Sequence, residues 1–212
     1  MPDHCKKLSI MVVTDSNGKK LDLELLKPCA INKIQRDYKF TVTEATDGIP
    51  TTTNPDEVTD LVFQVGLNDS RHGISAEKIC ENTLEMQLKY RKSFKNARQH
   101  IVALPPLDNR QIDTNYRLQK LSKYTGSNFV STKAFRDRMT GNLQKNLMEK
   151  VGRSGETDYH YNDIGIKTLS KEIKKSLFSE SNLKGGDLDH LQTMRETTNA
   201  HNGTSGDVTE NN

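Results

Sequence analysis

The sequence predicts an α/β protein, a three-layer α/β/α sandwich on a five-stranded, mainly parallel sheet. Three observations predict it. Short apolar runs alternate along the chain with longer amphipathic ones, the pattern of successive βαβ units. The longer runs place apolar residues at helical spacing, while the short runs end in turn residues or proline. The chain has 212 residues, enough to bury the core of one such domain and short for two.

Each element follows in order. Leu8–Val13 is the first strand, and Lys19–Lys27 reads as a helix that stops at Pro28. Tyr38–Thr43 (YKFTVT) alternates with period two and is assigned as the second strand. Leu61–Val65 (LVFQV) is the third. Ser75 opens a long helix in which Ile79, Thr83, Met86, Tyr90 and Phe94 share one face. His100–Leu104 (HIVAL) is the fourth strand, ended by Pro105-Pro106. Ile112–Tyr124 is helical with Leu118 and Leu121 inward, and Asn128–Val130 is a short fifth strand. The last helix runs from Asp163 to Phe178, aligning Ile166, Leu169, Ile173 and Leu177. The domain therefore covers residues 1–180. Residues 181–212, without an aromatic side chain and rich in Asn, Thr, Gly and Ser, are expected to form a polar disordered tail, because they offer too little apolar area to offset their ordering entropy.

Composition narrows the function classes. No run approaches the ~18 apolar residues of a membrane span, and the stretch at Leu8–Val13 reads as a strand, not a secretory signal. A cytoplasmic setting is expected. Cys5, Cys29 and Cys80 are odd in number and not spaced as a metal clip, so free thiols and no zinc site are expected. Residues 1–180 carry 29 basic and 23 acidic side chains, a net charge of +6, against 2 and 5 in residues 181–212. Such a surface suits weak association with RNA or anionic lipid, or is simply an ordinary solvated surface, and no RNA-binding signature accompanies it. Two N-x-S/T sequons occur, at Asn68 and Asn202.

In a parallel sheet a ligand sits beyond the carboxyl ends of the strands, so the loops there are the place to look for chemistry. After the first strand comes Thr14-Asp15-Ser16-Asn17-Gly18. A serine at such a turn has an exposed hydroxyl, though Asp15 or Ser16 can equally serve as a helix cap. After the third strand, Gly66-Leu67-Asn68-Asp69 brings an amide to the same edge, or simply makes a turn. Before the last helix lies Asp158-Tyr159-His160-Tyr161-Asn162-Asp163-Ile164-Gly165, with a histidine close to a carboxylate.

Together, in this order, the three segments resemble the SGNH/GDSL hydrolase family over about residues 8 to 178. Thr14-Asp15-Ser16 is similar to its Gly-Asp-Ser block, Gly66-Leu67-Asn68-Asp69 to its Gly-x-Asn-Asp block, and His160-Tyr161-Asn162 with Gly165 to its last block. Pro105-Pro106-Leu107 fits as well. Within the family, the His-Tyr-Asn block and the Thr-Asp-Ser opening look like the esterase domains of non-LTR retrotransposon first-frame proteins. The resemblance implies a carboxylic ester hydrolase with Ser16 as nucleophile and His160 as base, which needs neither metal nor organic cofactor. The backbone N–H of Ser16, the N–H of Gly48 and the Asn68 amide would form the oxyanion hole. The family's acid stands three residues before the histidine, where this chain has Thr157, so Asp158 is assigned as the acid with Glu156 in reserve. The polar, weakly hydrophobic composition of the chain leans toward short-chain acyl esters as substrates, such as acetyl esters of lipid or carbohydrate. Because Thr14 replaces the family's glycine and the acid is displaced, a catalytically weak binding module, associated with a retrotransposon-encoded RNA-binding protein, is the alternative. A flavodoxin-like nucleotide binder fits the strand pattern but lacks a glycine-rich phosphate loop.

Overall fold

In the computed structural model, residues 8–21, 31–51, 53–151 and 156–179 are described, with the backbone alone for residues 31, 151 and 156–158. The chain divides into Met1–Ser181 and Asn182–Asn212. The second unit lies outside the described residues, as do most of the expected helix Lys19–Lys27 and the expected tail.

Five strands form one parallel sheet: β1 (Leu8–Thr14), β2 (Ile31–Tyr38), β3 (Asp60–Gln64), β4 (Arg98–Val102) and β5 (Asn128–Val130), in the order β2-β1-β3-β4-β5. Among the described residues the α-helices are α1 (Val42–Asp47), α2 (Leu67–Arg71), α3 (Ala76–Ser93), α4 (Asn109–Thr125) and α5 (Asp163–Leu177). A separate antiparallel pair, β6 (Met148–Val151) and β7 (Glu156–Tyr161), precedes α5. The three-layer α/β/α architecture expected from the sequence is the one observed.

Strand periodicity makes the layers, because successive side chains of a strand point to opposite faces. On β1, Ile10 and Val12 join Val62, Val102 and Val130 under Ile166, Leu169, Ile173 and Leu177 of α5. Met11 and Val13 point the other way, with Leu61 and Phe63, against Val42 and Ala45 of α1 and Ile79, Met86 and Tyr90 of α3. Every residue of β1 is buried, as a central strand covered on both faces must be. The helix starting at Ser75 is capped by that residue's side chain, which accepts from Lys78 N–H.

One strand lies elsewhere than expected. The second strand is Ile31–Tyr38, not Tyr38–Thr43, and Val42–Asp47 is helical. Thr41 caps that helix by accepting from Glu44 N–H, and Val42, Ala45 and Thr46 form its buried face. Helical spacing thus outweighs the period-two reading once α3 is there to cover it.

The amino end of the sheet is closed by a buried polar cluster. Asp60 and His100 are fully buried, and His100 Nε2–H donates to Asp60 Oδ1 at 2.9 Å. Arg98 pairs with the same oxygen at 2.8 Å, and the Ser176 hydroxyl bonds His100 Nδ1 at 2.8 Å. These bonds satisfy the cluster where it stands, at the opposite end of the sheet from Ser16. Among the described residues, no helix is long and apolar enough to cross a membrane.

Candidate active site

The carboxyl end of β1 holds the serine. Asp15 N–H bonds Gln64 O of β3 at 3.1 Å, and the chain then folds into a single 3-10 turn, Ser16–Gly18. Asp15 caps this turn, its Oδ1 accepting from Asn17 N–H at 2.9 Å. Ser16 is half-buried, with Oγ 3.1 Å from His160 Nε2. That is a hydrogen-bonding distance for a hydroxyl donating to an imidazole nitrogen. The Ser16 N–H belongs to the first turn of a helix, where N–H groups have no intrahelical acceptor.

His160 comes to Ser16 because β7 is tied to the serine turn. Asn17 does the tying: its Nδ2 donates to Tyr159 O at 3.3 Å, and its Oδ1 accepts from Tyr161 N–H at 3.1 Å. The two bonds straddle His160 as a backbone peptide would in a parallel ladder. The side-chain amide thus stands in for a neighbouring strand. At the far end of β7, Asn162 caps α5 by accepting from Ile164 and Gly165 N–H, while its Nδ2 donates to Asn146 O and Met148 O. Gly165 is needed for this closeness, since a Cβ there would stand 2.1 Å from Leu147 O.

The Asn68 block arrives through a glycine. Gly66 has φ +111°, a backbone that L side chains rarely adopt, and it turns the end of β3 into α2. Asn68 is buried, and its Nδ2 donates to Phe40 O at 2.9 Å. An amide nitrogen carries two N–H groups, so this bond engages one of them. Asp69 Oδ2 accepts from Val42 N–H at 3.0 Å and fixes the start of α1. Phe40 and Thr41 therefore follow β2 at the sheet edge, where the sequence reading placed Gly48. Gly48 instead closes the far end of α1, and its N–H donates to Glu44 O at 3.0 Å. That donor is committed within the helix, which removes Gly48 from the oxyanion hole.

Charge is shaped by burial. Burial pushes the Asp15 carboxyl up to about 6, against the opposing pull of Asn17 N–H and of His160, with Asp69 adding to the rise. Burial also raises Asp69, opposed by Val42 N–H. Tyr161, wholly buried, has its phenol pushed well up by desolvation, with the charge of Asp15 adding to it. Two aromatic rings stand at the rim. Tyr159 packs on His160 with centroids 4.0 Å apart, and exposed Phe40 meets the edge of His72 at 5.7 Å.

The structure thus brings Ser16 and His160 together and sets Asn68 at the same sheet edge. The side chains of Asp158 and Glu156 lie outside the described residues; both positions belong to β7, on the strand that carries His160. Asn17 was missed by sequence reading. Its only signal was its place beside Ser16, where asparagine also reads as a turn residue.

A five-stranded parallel sheet between helices, with a serine after its first strand and a histidine before its last helix, is the fold of the SGNH/GDSL hydrolases. Solved structures of similar fold share 10–16% identity with this chain. One is a Streptococcus pneumonia protein named provisionally as a platelet activating factor, at 16% identity and TM-score 0.66, covering 81% of this chain and 85% of that one. Another is a family 3 carbohydrate esterase of Clostridium thermocellum, at 13% identity and TM-score 0.62, covering 89% and 99%. A third is the OSK domain of Drosophila Oskar, at 15% identity and TM-score 0.59, covering 82% and 91%. No family model matches the sequence, and no curated protein matches it.

Proposed function

We propose that this chain is a carboxylic ester hydrolase working through an acyl-enzyme on Ser16. The observation that carries the reading is the 3.1 Å contact between Ser16 Oγ and His160 Nε2, made between residues 144 positions apart. His160 takes the Ser16 proton as Oγ attacks the ester carbonyl. The tetrahedral oxyanion is met by the Ser16 N–H and the Asn68 amide. The ester C–O bond then breaks, and the leaving alcohol takes the proton from His160. Water, deprotonated by His160, attacks the acyl-enzyme and frees Ser16. Asp158, with Glu156 in reserve, holds the imidazole tautomer. Likeness to esterases of 16% and 13% identity supports ester chemistry in general; the assignment to short acyl groups, such as acetyl esters of lipid or carbohydrate, rests on the polar, weakly hydrophobic composition of the chain.

Ser16→Ala should abolish hydrolysis of a short chromogenic ester while its unfolding curve stays close to that of the unmodified protein. Unchanged turnover would remove Ser16 as nucleophile.

A second reading is favoured by one specific observation. The Gly48 N–H is bonded to Glu44 O, which leaves the oxyanion one donor fewer than the family pattern supplies, while the Asn68 amide, with one N–H on Phe40 O, keeps a second. Losing one such donor typically costs on the order of 10²–10³ in rate. On this reading the chain is a weak or inactive binding module of a retrotransposon-encoded RNA-binding assembly. Failure of a fluorophosphonate to label Ser16, with RNA affinity that falls as salt rises, would favour it.

A further inference from the structure

Beside the Ser16–His160 pair lies an arginine that the reaction described above does not use. Arg71 is the last residue of α2, three positions after Asn68, so the two share a side of that helix. Its guanidinium carbon lies 3.5 Å from the centroid of the Tyr159 ring. At that distance the guanidinium lies flat on the ring, since an edge-on approach would clash. Its face is then occupied, and its in-plane N–H fork stays open. Tyr159 in turn packs on His160, so a fixed positive charge stands one ring away from the nucleophilic pair. Arg71 is exposed, and among the described residues it makes no ion pair and no side-chain hydrogen bond. The arginines that hold the scaffold differ. Arg98 is paired with Asp60 and Arg117 with Glu77 and Asp113. The adjacent carboxylate, Asp69, is turned away onto Val42 N–H.

Resting on the esterase reading, we infer that Arg71 is an anion subsite: the preferred substrates are esters that carry a carboxylate or phosphate close to the scissile carbonyl. Arginine's planar fork matches such oxyanions in two parallel bonds. Stacking on Tyr159 holds the fork in place before the substrate arrives, which lowers the ordering cost of binding. Exposed Phe40, set against the exposed His72 ring at 5.7 Å, adds an apolar ring at the same sheet edge.

The test compares 4-acetoxybenzoate with its uncharged methyl ester. The unmodified protein should favour the charged ester in kcat/KM by about tenfold at low salt, falling as ionic strength rises. In Arg71→Gln the ratio should drop to about one, and in Arg71→Lys, which keeps the charge but loses the fork, to an intermediate value. Lys171→Gln, the same change of charge on an exposed position of α5, should leave the ratio where it was. A purely structural role for Arg71 would lower both rates together and leave the ratio unmoved. No preference in the unmodified protein, or a preference that survives Arg71→Gln, overturns the inference. Calorimetric binding of both esters to Ser16→Ala separates the two readings. Tighter binding of the charged ester there, without turnover in the unmodified protein, would sink the esterase reading and keep the subsite. Equal binding beside good turnover would do the reverse.

Discussion

Removing the Asn17 side chain is the sharpest test of how the site is assembled. Asn17 is almost fully buried and makes two bonds to β7, at 3.3 Å to Tyr159 O and from Tyr161 N–H at 3.1 Å. Each such bond contributes about 1 kcal/mol net, and a buried N–H left without a partner costs about 1–3 kcal/mol. Tyr161 is buried, so Asn17→Ala leaves its N–H in that condition. The expected loss is about 3 kcal/mol of stability, small enough for the fold to persist in a domain of ordinary stability. The effect on chemistry should be larger than that on folding. The Asn17 side chain bonds the backbone on either side of His160 and so holds the strand that aims it. A drift of about 1 Å in a catalytic group costs on the order of 10²-fold in rate. In Asn17→Ala, kcat for a short ester should fall by about that factor with KM little changed, and the rate of Ser16 labelling by a fluorophosphonate should fall with it. Asn17→Asp keeps an acceptor for Tyr161 N–H but turns a carboxylate toward Tyr159 O, so it should recover part of the stability and little of the rate. The reasoning is refuted if Asn17→Ala labels at the original rate, or loses activity only in proportion to its unfolded fraction.

Three further outcomes are expected. Burial raises Asp15 from 3.8 to about 6, so its charge disfavours the folded state: the cost is absent below about pH 4, grows as pH rises, and is complete above about pH 6. About two pH units correspond to about 3 kcal/mol. Asp15→Asn should therefore be more stable than the unmodified protein at pH 7 by up to that amount and equal to it near pH 4, yet slower, because a carboxylate no longer faces His160; denaturant unfolding at both pH values checks this, and a stability difference independent of pH would contradict it. Asp60→Ala should cost about 3–5 kcal/mol, since it strands His100 and Arg98, while the folded fraction labels at Ser16 as before; a loss below about 1 kcal/mol would show that the cluster is dispensable. Asp158→Asn should lower kcat far more than Glu156→Gln, and the reverse ranking would move the acid to Glu156.

How much of this was legible in the sequence depended on whether local pattern and tertiary environment agreed. They agreed for α5, whose Ile166, Leu169, Ile173 and Leu177 are all buried, and for β1, an apolar run buried on both faces. They disagreed for β2. INKIQRDY is an edge strand, bonded to β1 alone within the sheet, and most of its described side chains are partly or fully exposed. It therefore needs no apolar run, and the neighbouring YKFTVT carried the stronger strand signal. That one shift also misplaced the oxyanion glycine, because Gly48 was sought after a strand that ends at Tyr38. The β6–β7 pair was missed for a similar reason. Its sequences are polar, and its anchors are side chains, Asn17 and Asn162, whose partners cannot be guessed from spacing. Ser16, Asn68 and His160 stand out in the sequence because each lies at or near an element boundary marked by Gly, Asn or Asp.

Thr14, where the SGNH/GDSL block that this segment resembles has glycine, looks in the sequence like damage beside Ser16. In the structure it belongs to an exchange. Thr14 is fully buried, and its hydroxyl donates to Gln64 Oε1 at 2.9 Å. The space it fills is one that Gly18 vacates, since a Cβ on Gly18 would stand 1.7 Å from Thr14 Oγ1 and 2.3 Å from Gln64 Oε1. A side chain present at the start of the turn is thus matched by one absent at its end, and the hydroxyl adds a bond between β1 and β3 directly beneath Ser16. Close packing of this kind makes the two positions interdependent. Thr14 therefore ties the turn that presents Ser16 to β3, and the question of activity moves away from the altered opening motif to the donors around Asn68.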